Sequence, residues 1–212
     1  MNVGELHDTL ADLRLVPVIA LNDENSAVPL GEALLDGGLP LAEITFRTAA
    51  AESSIRRLAR ELPDLLLGAG TVLTTEQVDR ASEAGASFVV TPGFNPRVVE
   101  YALKREIPII PGVNNPTGVE QGLELGLRLL KFFPAEASGG VRMLEALKGP
   151  YPSVSFLPTG GVSEKNLDSY LSLANVLAVG GSWVVPKSAI EEEDFAHIRE
   201  LTAEACELLG RL

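Results

Sequence analysis

Short apolar runs alternate with longer amphipathic stretches along the whole chain. The runs at 16–20, 41–46, 65–68, 88–91, 107–111, 129–133, 154–158 and 176–179 are mostly β-branched or leucine-rich and nearly continuous. Strands covered on both faces read this way, since neither face can carry a polar row. The stretches between them have helical spacing: Ala27, Leu30, Ala33 and Leu34 form one apolar stripe, and Ile55, Leu58, Ala59 and Leu62 another. Helix starts are marked. Thr74-Thr75-Glu76-Gln77 fits a capping box. Asn95-Pro96 and Asn115-Pro116 each put a capping residue before a first-turn proline, and Gly37-Gly38 and Gly85 stand where helices end.

The pattern gives about eight strand–helix units at a spacing of roughly 25 residues, preceded by an extra N-terminal helix over 3–13. A (β/α)8 TIM barrel forming a single domain over 1–212 fits this count best, with an open doubly wound sheet as the other arrangement. Gly68-Ala69-Gly70 is a weak match to a dinucleotide fingerprint, because position 73 is Leu rather than the third glycine and no acidic residue closes a following strand at the expected offset.

Composition narrows the function. The 212 residues are 46% hydrophobic and 22% charged, as a globular chain with a large core should be. A net charge of −12 disfavours nucleic acid and anionic membranes, which need a cationic face. No apolar run approaches the roughly 20 residues of a membrane span, and the first residues lack the basic-then-apolar order of a secretory leader, so a cytoplasmic location is expected. The single cysteine, Cys206, lies in a helical pattern as a small hydrophobe. His7 and His197 stand near opposite ends, so no zinc site is expected, and neither metal nor cofactor is required by the chemistry below.

Lys131 is the most telling residue. Of five lysines it alone sits inside an apolar strand run. Burial is costly for an ammonium group, and a neutral lysine amine attacks carbonyls to form a Schiff base. The plain alternative is a lysine whose head snorkels to solvent. Glu43 occupies a similar strand, and alternation puts Leu41, Glu43, Thr45 and Arg47 on one face. At a barrel mouth Glu43 can serve as a general acid/base; a buried ion pair with Arg47 is the plain reading. Arg47 can grip a carboxylate or phosphate through two parallel bonds, and Thr71, just after Gly68-Ala69-Gly70, can add a hydroxyl. Thr159-Gly160-Gly161 follows the seventh strand and Gly180-Gly181-Ser182 the eighth, the places where barrels bind phosphate.

These residues bring a family into view. The chain resembles the bacterial 2-keto-3-deoxy-6-phosphogluconate aldolase / 2-keto-4-hydroxyglutarate aldolase family in Val16-Pro17-Val18-Ile19, Glu43-Ile44-Thr45-Phe46-Arg47-Thr48 and Gly68-Ala69-Gly70-Thr71-Val72-Leu73. The resemblance continues through Thr91-Pro92-Gly93, Ile110-Pro111-Gly112, Lys131-Phe132-Phe133-Pro134-Ala135-Glu136, Pro158-Thr159-Gly160-Gly161 and Gly180-Gly181-Ser182-Trp183. It implies a homotrimeric class I aldolase that cleaves a phosphorylated keto-acid to pyruvate and glyceraldehyde 3-phosphate. The matching lysine forms the imine and the matching glutamate shuttles protons. Arg47 and Thr71 hold the pyruvyl carboxylate, and Thr159, Gly160, Gly161, Gly181 and Ser182 hold phosphate. Pro92 and Phe133 line the pocket. The competing readings are a 6-phosphogalactonate aldolase, a phosphate-binding barrel isomerase or synthase that forms no imine, and a sugar-phosphate sensor.

Overall fold

The computed structural model describes residues 1–210. Helix α1 (Val3–Leu13) leads into β1 (Leu15–Ile19), α2 (Ala27–Asp36), β2 (Leu41–Thr45), α3 (Ala51–Glu61), β3 (Leu66–Gly70), α4 (Thr75–Ala84), β4 (Phe88–Val90) and α5 (Pro96–Lys104). Then come β5 (Ile109–Ile110), β6 (Gly112–Val113), α6 (Pro116–Glu124), β7 (Leu129–Phe132), α7 (Gly140–Lys148) and β8 (Ser155–Pro158). The chain ends with α8 (Leu167–Leu171), β9 (Val179–Gly181), α9 (Lys187–Glu191) and α10 (Phe195–Leu209).

Local chemistry sets the helix ends. The side chains of Thr74, Asn95 and Asn115 accept from the backbone N–H of Gln77, Arg97 and Gly118, relieving first-turn donors that have no intrahelical partner. The return half of the expected box at α4 differs: Gln77 Oε1 accepts from Leu73 N at 2.7 Å rather than from Thr74 N. Gly85 closes α4 at φ 106°, a left-handed conformation that suits glycine.

All strands pair in parallel and form a curled α/β sheet. Six run in the order β5-β4-β3-β2-β1-β9, so the last strand joins the first, and three run β6-β7-β8. The two arcs meet at Pro111. It has no N–H to donate; the expected strand at 107–111 shortens to β5, paired with β4, and a further short strand that the sequence reading did not include, β6, follows Pro111 and pairs with β7. Lys131 N donates to Pro111 O at 2.9 Å across this join. Single parallel bridges, Phe156 to Val176 and Thr159 to Gly180, link β8 to the approach to β9.

Two strands run further than their side chains suggest. β3 continues through Gly70, and the last strand forms at Val179–Gly181 instead of 176–179, so Gly180 and Gly181 lie within it rather than in a loop after it. Glycine has low strand propensity, but here neighbouring side chains fill the space a Cβ would take. A Cβ on Gly68 would meet the Phe88 ring at 2.3 Å, and one on Gly180 would meet Thr159 Oγ1 at 2.2 Å.

Alternation along the strands divides the core into two layers. Leu15, Ile19, Ile44, Leu67, Leu130 and Phe132 belong to a large cluster with the helix stripes. Val16, Leu41, Phe88, Val90, Ile110, Leu129 and Leu157 form a second cluster, and Leu6 and Leu10 of α1 complete it. Burying a leucine side chain fully is worth about 1.5–3 kcal/mol, so two α1 leucines anchor that helix against the concave face. Lys131 follows Leu129 on β7, and Glu43 follows Leu41 on β2, one inward position further along each strand.

Candidate active site

Lys131 and Glu43 are far apart in sequence and adjacent in space. Lys131 Nζ lies 3.4 Å from Glu43 Oε1, and both side chains are buried, with 4% and 0% of the residue surface exposed. The second carboxylate oxygen, Glu43 Oε2, is buried with no hydrogen-bond partner among the described residues. The amine also sits 5.4 Å from the centroid of the Phe133 ring, an arrangement with cation–π character when it is charged. Glu43 therefore pairs with Lys131, not with Arg47.

Arg47, just past β2, is held by a different device. Its Nε donates to Thr45 Oγ1 at 3.0 Å, and the same hydroxyl donates to Ile19 O at 2.7 Å. A buried threonine thus ties the guanidinium to β1. Thr71, just past β3, has φ 56°. That region is an outlier for a β-branched residue, and such outliers gather at functional sites.

A cavity of about 270 Å³ opens over these groups. Lys131, Arg47, Thr71, Pro92, Phe133, Thr159, Gly160, Gly161, Gly181 and Ser182 all line it. Glu43 does not; it stands behind the Lys131 amine. Among the described residues Lys131 and Arg47 are the only lining residues with ionisable side chains, so an acidic chain lines this pocket with basic groups. A larger cleft of about 660 Å³ lies to one side and shares Pro92 and Phe133, but none of the charged groups.

The glycine loops are built to present donors. Gly160 and Gly161 have φ 97° and 85°. The carbonyls of Thr159 and Gly160 accept from Ala135 N at 2.8 Å and Glu136 N at 3.0 Å, and Gly161 O accepts from Asn166 Nδ2 at 3.0 Å. With the carbonyls engaged, the N–H groups of Gly161, Val162 and Ser182 have no hydrogen-bond partner among the described residues. Such a row of free N–H groups suits an anion. On the far side of the loop, the Tyr170 hydroxyl donates to Glu136 Oε1. Burial first, and that bond second, push the phenol well above its ordinary pKa.

Some lining residues were not singled out from sequence. Val18 was readable, since it shares a face with Val16. Val162 and Gly180 needed the loop geometry, and the Thr45 bond to Arg47 needed coordinates.

Comparison with known proteins now decides the lineage. A family model described as KDPG and KHG aldolase matches residues 6–201. The chain belongs to this aldolase family. Within it, the chain is 47% identical over 205 residues to the 2-dehydro-3-deoxy-phosphogluconate aldolase of Haemophilus influenzae, covering 97% of each. It is 44% identical over 193 residues to the KHG/KDPG aldolase of Escherichia coli K12, covering 91% of each. Among solved aldolases of the family, the KDPG aldolase of Legionella pneumophila matches with a TM-score of 0.91 at 42% identity, over 93% of this chain and 96% of that one. That crystal structure holds pyruvate captured at low pH as a covalent carbinolamine.

Proposed function

We propose that the chain is a class I aldolase that reversibly cleaves 2-keto-3-deoxy-6-phosphogluconate to pyruvate and glyceraldehyde 3-phosphate, and 2-keto-4-hydroxyglutarate to pyruvate and glyoxylate. The observation that carries the reading is a buried amine and a buried carboxylate 3.4 Å apart at the inner end of a cavity lined with basic groups. Relatives at 44–47% identity bear the same substrate names.

The amine of Lys131 attacks the C2 ketone and, with loss of water, gives a protonated imine that draws electrons. Glu43 takes the proton from the C4 hydroxyl as the C3–C4 bond breaks; C4 leaves as the aldehyde and the bond pair passes into an enamine on Lys131. Glu43 then returns its proton to C3, and hydrolysis of the imine frees pyruvate. Arg47 and Thr71 hold the pyruvyl carboxylate. Thr159, the N–H groups of the two glycine segments and the Ser182 hydroxyl receive the phosphate. Pro92 and Phe133 wall the carbon chain between these ends.

We further infer that the curled sheet is a closed (β/α)8 barrel, one domain with α1 as its additional helix. Pairing of β9 with β1 supports closure, and a doubly wound sheet would instead reverse its strand order. A homotrimer and a cytoplasmic location go with this reading; light scattering on the eluting protein tests the first. The test of the chemistry is borohydride reduction in the presence of pyruvate, followed by peptide mapping. The expected adduct is on Lys131; an adduct confined to another lysine would overturn the assignment.

A further inference from the structure

Glu136 and Tyr170 take no part in the steps above, yet they meet directly behind the loop assigned to phosphate. Glu136 lies shortly after β7, the strand that carries Lys131, and Tyr170 lies on α8, the helix after the Gly160-Gly161 loop. The Glu136 backbone N–H donates to Gly160 O at 3.0 Å. Its side chain packs flat on the next residue: a Cβ on Gly161 would lie 2.5 Å from Glu136 Cγ. Glu136 itself is exposed and does not line the cavity, whereas Tyr170 is fully buried. A buried phenol needs a hydrogen-bond partner, and the Glu136 carboxylate is that partner.

The pair does two things. It braces the backbone of Gly160 and Gly161 against the Lys131 strand, which fixes the distance from the amine to the free N–H groups. It also holds a carboxylate back from a loop that, on the reading above, must accept a phosphate with two negative charges. Released from Tyr170, an exposed carboxylate beside Gly161 would repel that group.

We propose that Glu136 and Tyr170 are positioning residues that set affinity for the phosphate end of the substrate, leaving the Lys131 end untouched. The proposal rests on the phosphate assignment of the Gly160-Gly161 loop. It is tested with Tyr170→Phe, Glu136→Ala and Glu136→Gln on the full chain, each checked for a folded far-UV spectrum. Four quantities are measured: inorganic phosphate affinity by calorimetry, the KM and the kcat for 2-keto-3-deoxy-6-phosphogluconate, and the rate of pyruvate trapping by borohydride.

Loss of a hydrogen bond to a charged group predicts about a tenfold weaker phosphate affinity and a similarly raised KM in Tyr170→Phe, where the freed carboxylate adds repulsion, and a smaller loss in the same direction in Glu136→Ala, where the brace goes but the charge goes with it. Pyruvate trapping should stay within about twofold of the parent, because it needs only the lysine end. Glu136→Gln keeps an acceptor oxygen and the packing on Gly161, and should retain most of the affinity. Equal loss of trapping and of phosphate affinity, or unchanged phosphate affinity in the folded variants, would overturn the proposal. If Tyr170→Phe does not fold, the Glu136 variants decide alone. A parent protein that traps pyruvate and binds phosphate but leaves the phosphogluconate intact would refute the substrate assignment, not this pairing.

Discussion

Gly70 and Glu43 compete for one volume: a Cβ on Gly70 would lie 2.1 Å from Glu43 Oε1. The carboxylate reaches Lys131 because β3 carries no side chain at that point. Gly70→Ala should push the carboxylate off its line to the amine. A displacement near 1 Å costs about a hundredfold in rate, so kcat should fall by that order while the adduct on Lys131 still forms. Steady-state kinetics and borohydride trapping on one sample separate the two effects; undiminished turnover would mean that Glu43 relaxes freely.

Glu43→Gln keeps the shape and removes the group proposed as the base. Exchange of the pyruvate methyl protons into deuterated water, followed by NMR, should slow by about 10²–10⁴-fold. Exchange at the parental rate would assign the proton transfer to another group.

Arg47 depends on a hydroxyl it does not own. Thr45→Val is close in volume but removes the acceptor for Arg47 Nε and the donor to Ile19 O. The guanidinium should lose its fixed orientation, raising the concentration of pyruvate needed for trapping by roughly tenfold. Because Thr45 is buried, thermal unfolding should also shift down, and trapping at saturating pyruvate tells the two losses apart.

Ser182→Ala should raise KM for 2-keto-3-deoxy-6-phosphogluconate by about tenfold and alter that for 2-keto-4-hydroxyglutarate much less. Equal losses on both substrates would place the hydroxyl elsewhere in the reaction.

One pH effect lies outside the site. Arg80 beside Glu52, together with Arg56, holds its carboxyl below the ordinary 4.5, against the opposing effect of burial. The folded pKa is depressed, so the stabilisation is present above the unfolded value and is lost as pH falls through the folded one. With partly exposed arginines, Glu52→Gln should cost only about 0.5–1 kcal/mol near neutral pH and nothing at strongly acid pH. Denaturant unfolding at both pH values checks the sign; a gap that persists in acid would point to packing instead.

Most of the strand–helix order was legible because its causes are local. Near-continuous apolar runs mark strands covered on both faces, and Thr74, Asn95 and Asn115 cap where their chemistry requires. The candidate site was legible in part for the same reason: an amine within an apolar run stands out, and the alternation from Leu41 to Arg47 names a face. What sequence did not reveal depends on the partner across the sheet. Gly180 and Gly181 look like loop residues until Thr159 and Trp183 fill the space they leave. The strand expected at 107–111 stops at Ile110, before Pro111, which lacks a donor, and pairing resumes beyond it at Gly112–Val113, outside the apolar run. Glu43 had two possible cations, and only the curl of the sheet selects Lys131 over Arg47.

The helix-borne leucines at positions 6 and 10 bear on the site as well as on stability. They pack in one cluster with Leu129, one inward position before Lys131 on its strand, and so fill the concave side of the sheet beneath that residue. That helix therefore supplies the floor on which the lysine stands, although none of its residues lines the cavity.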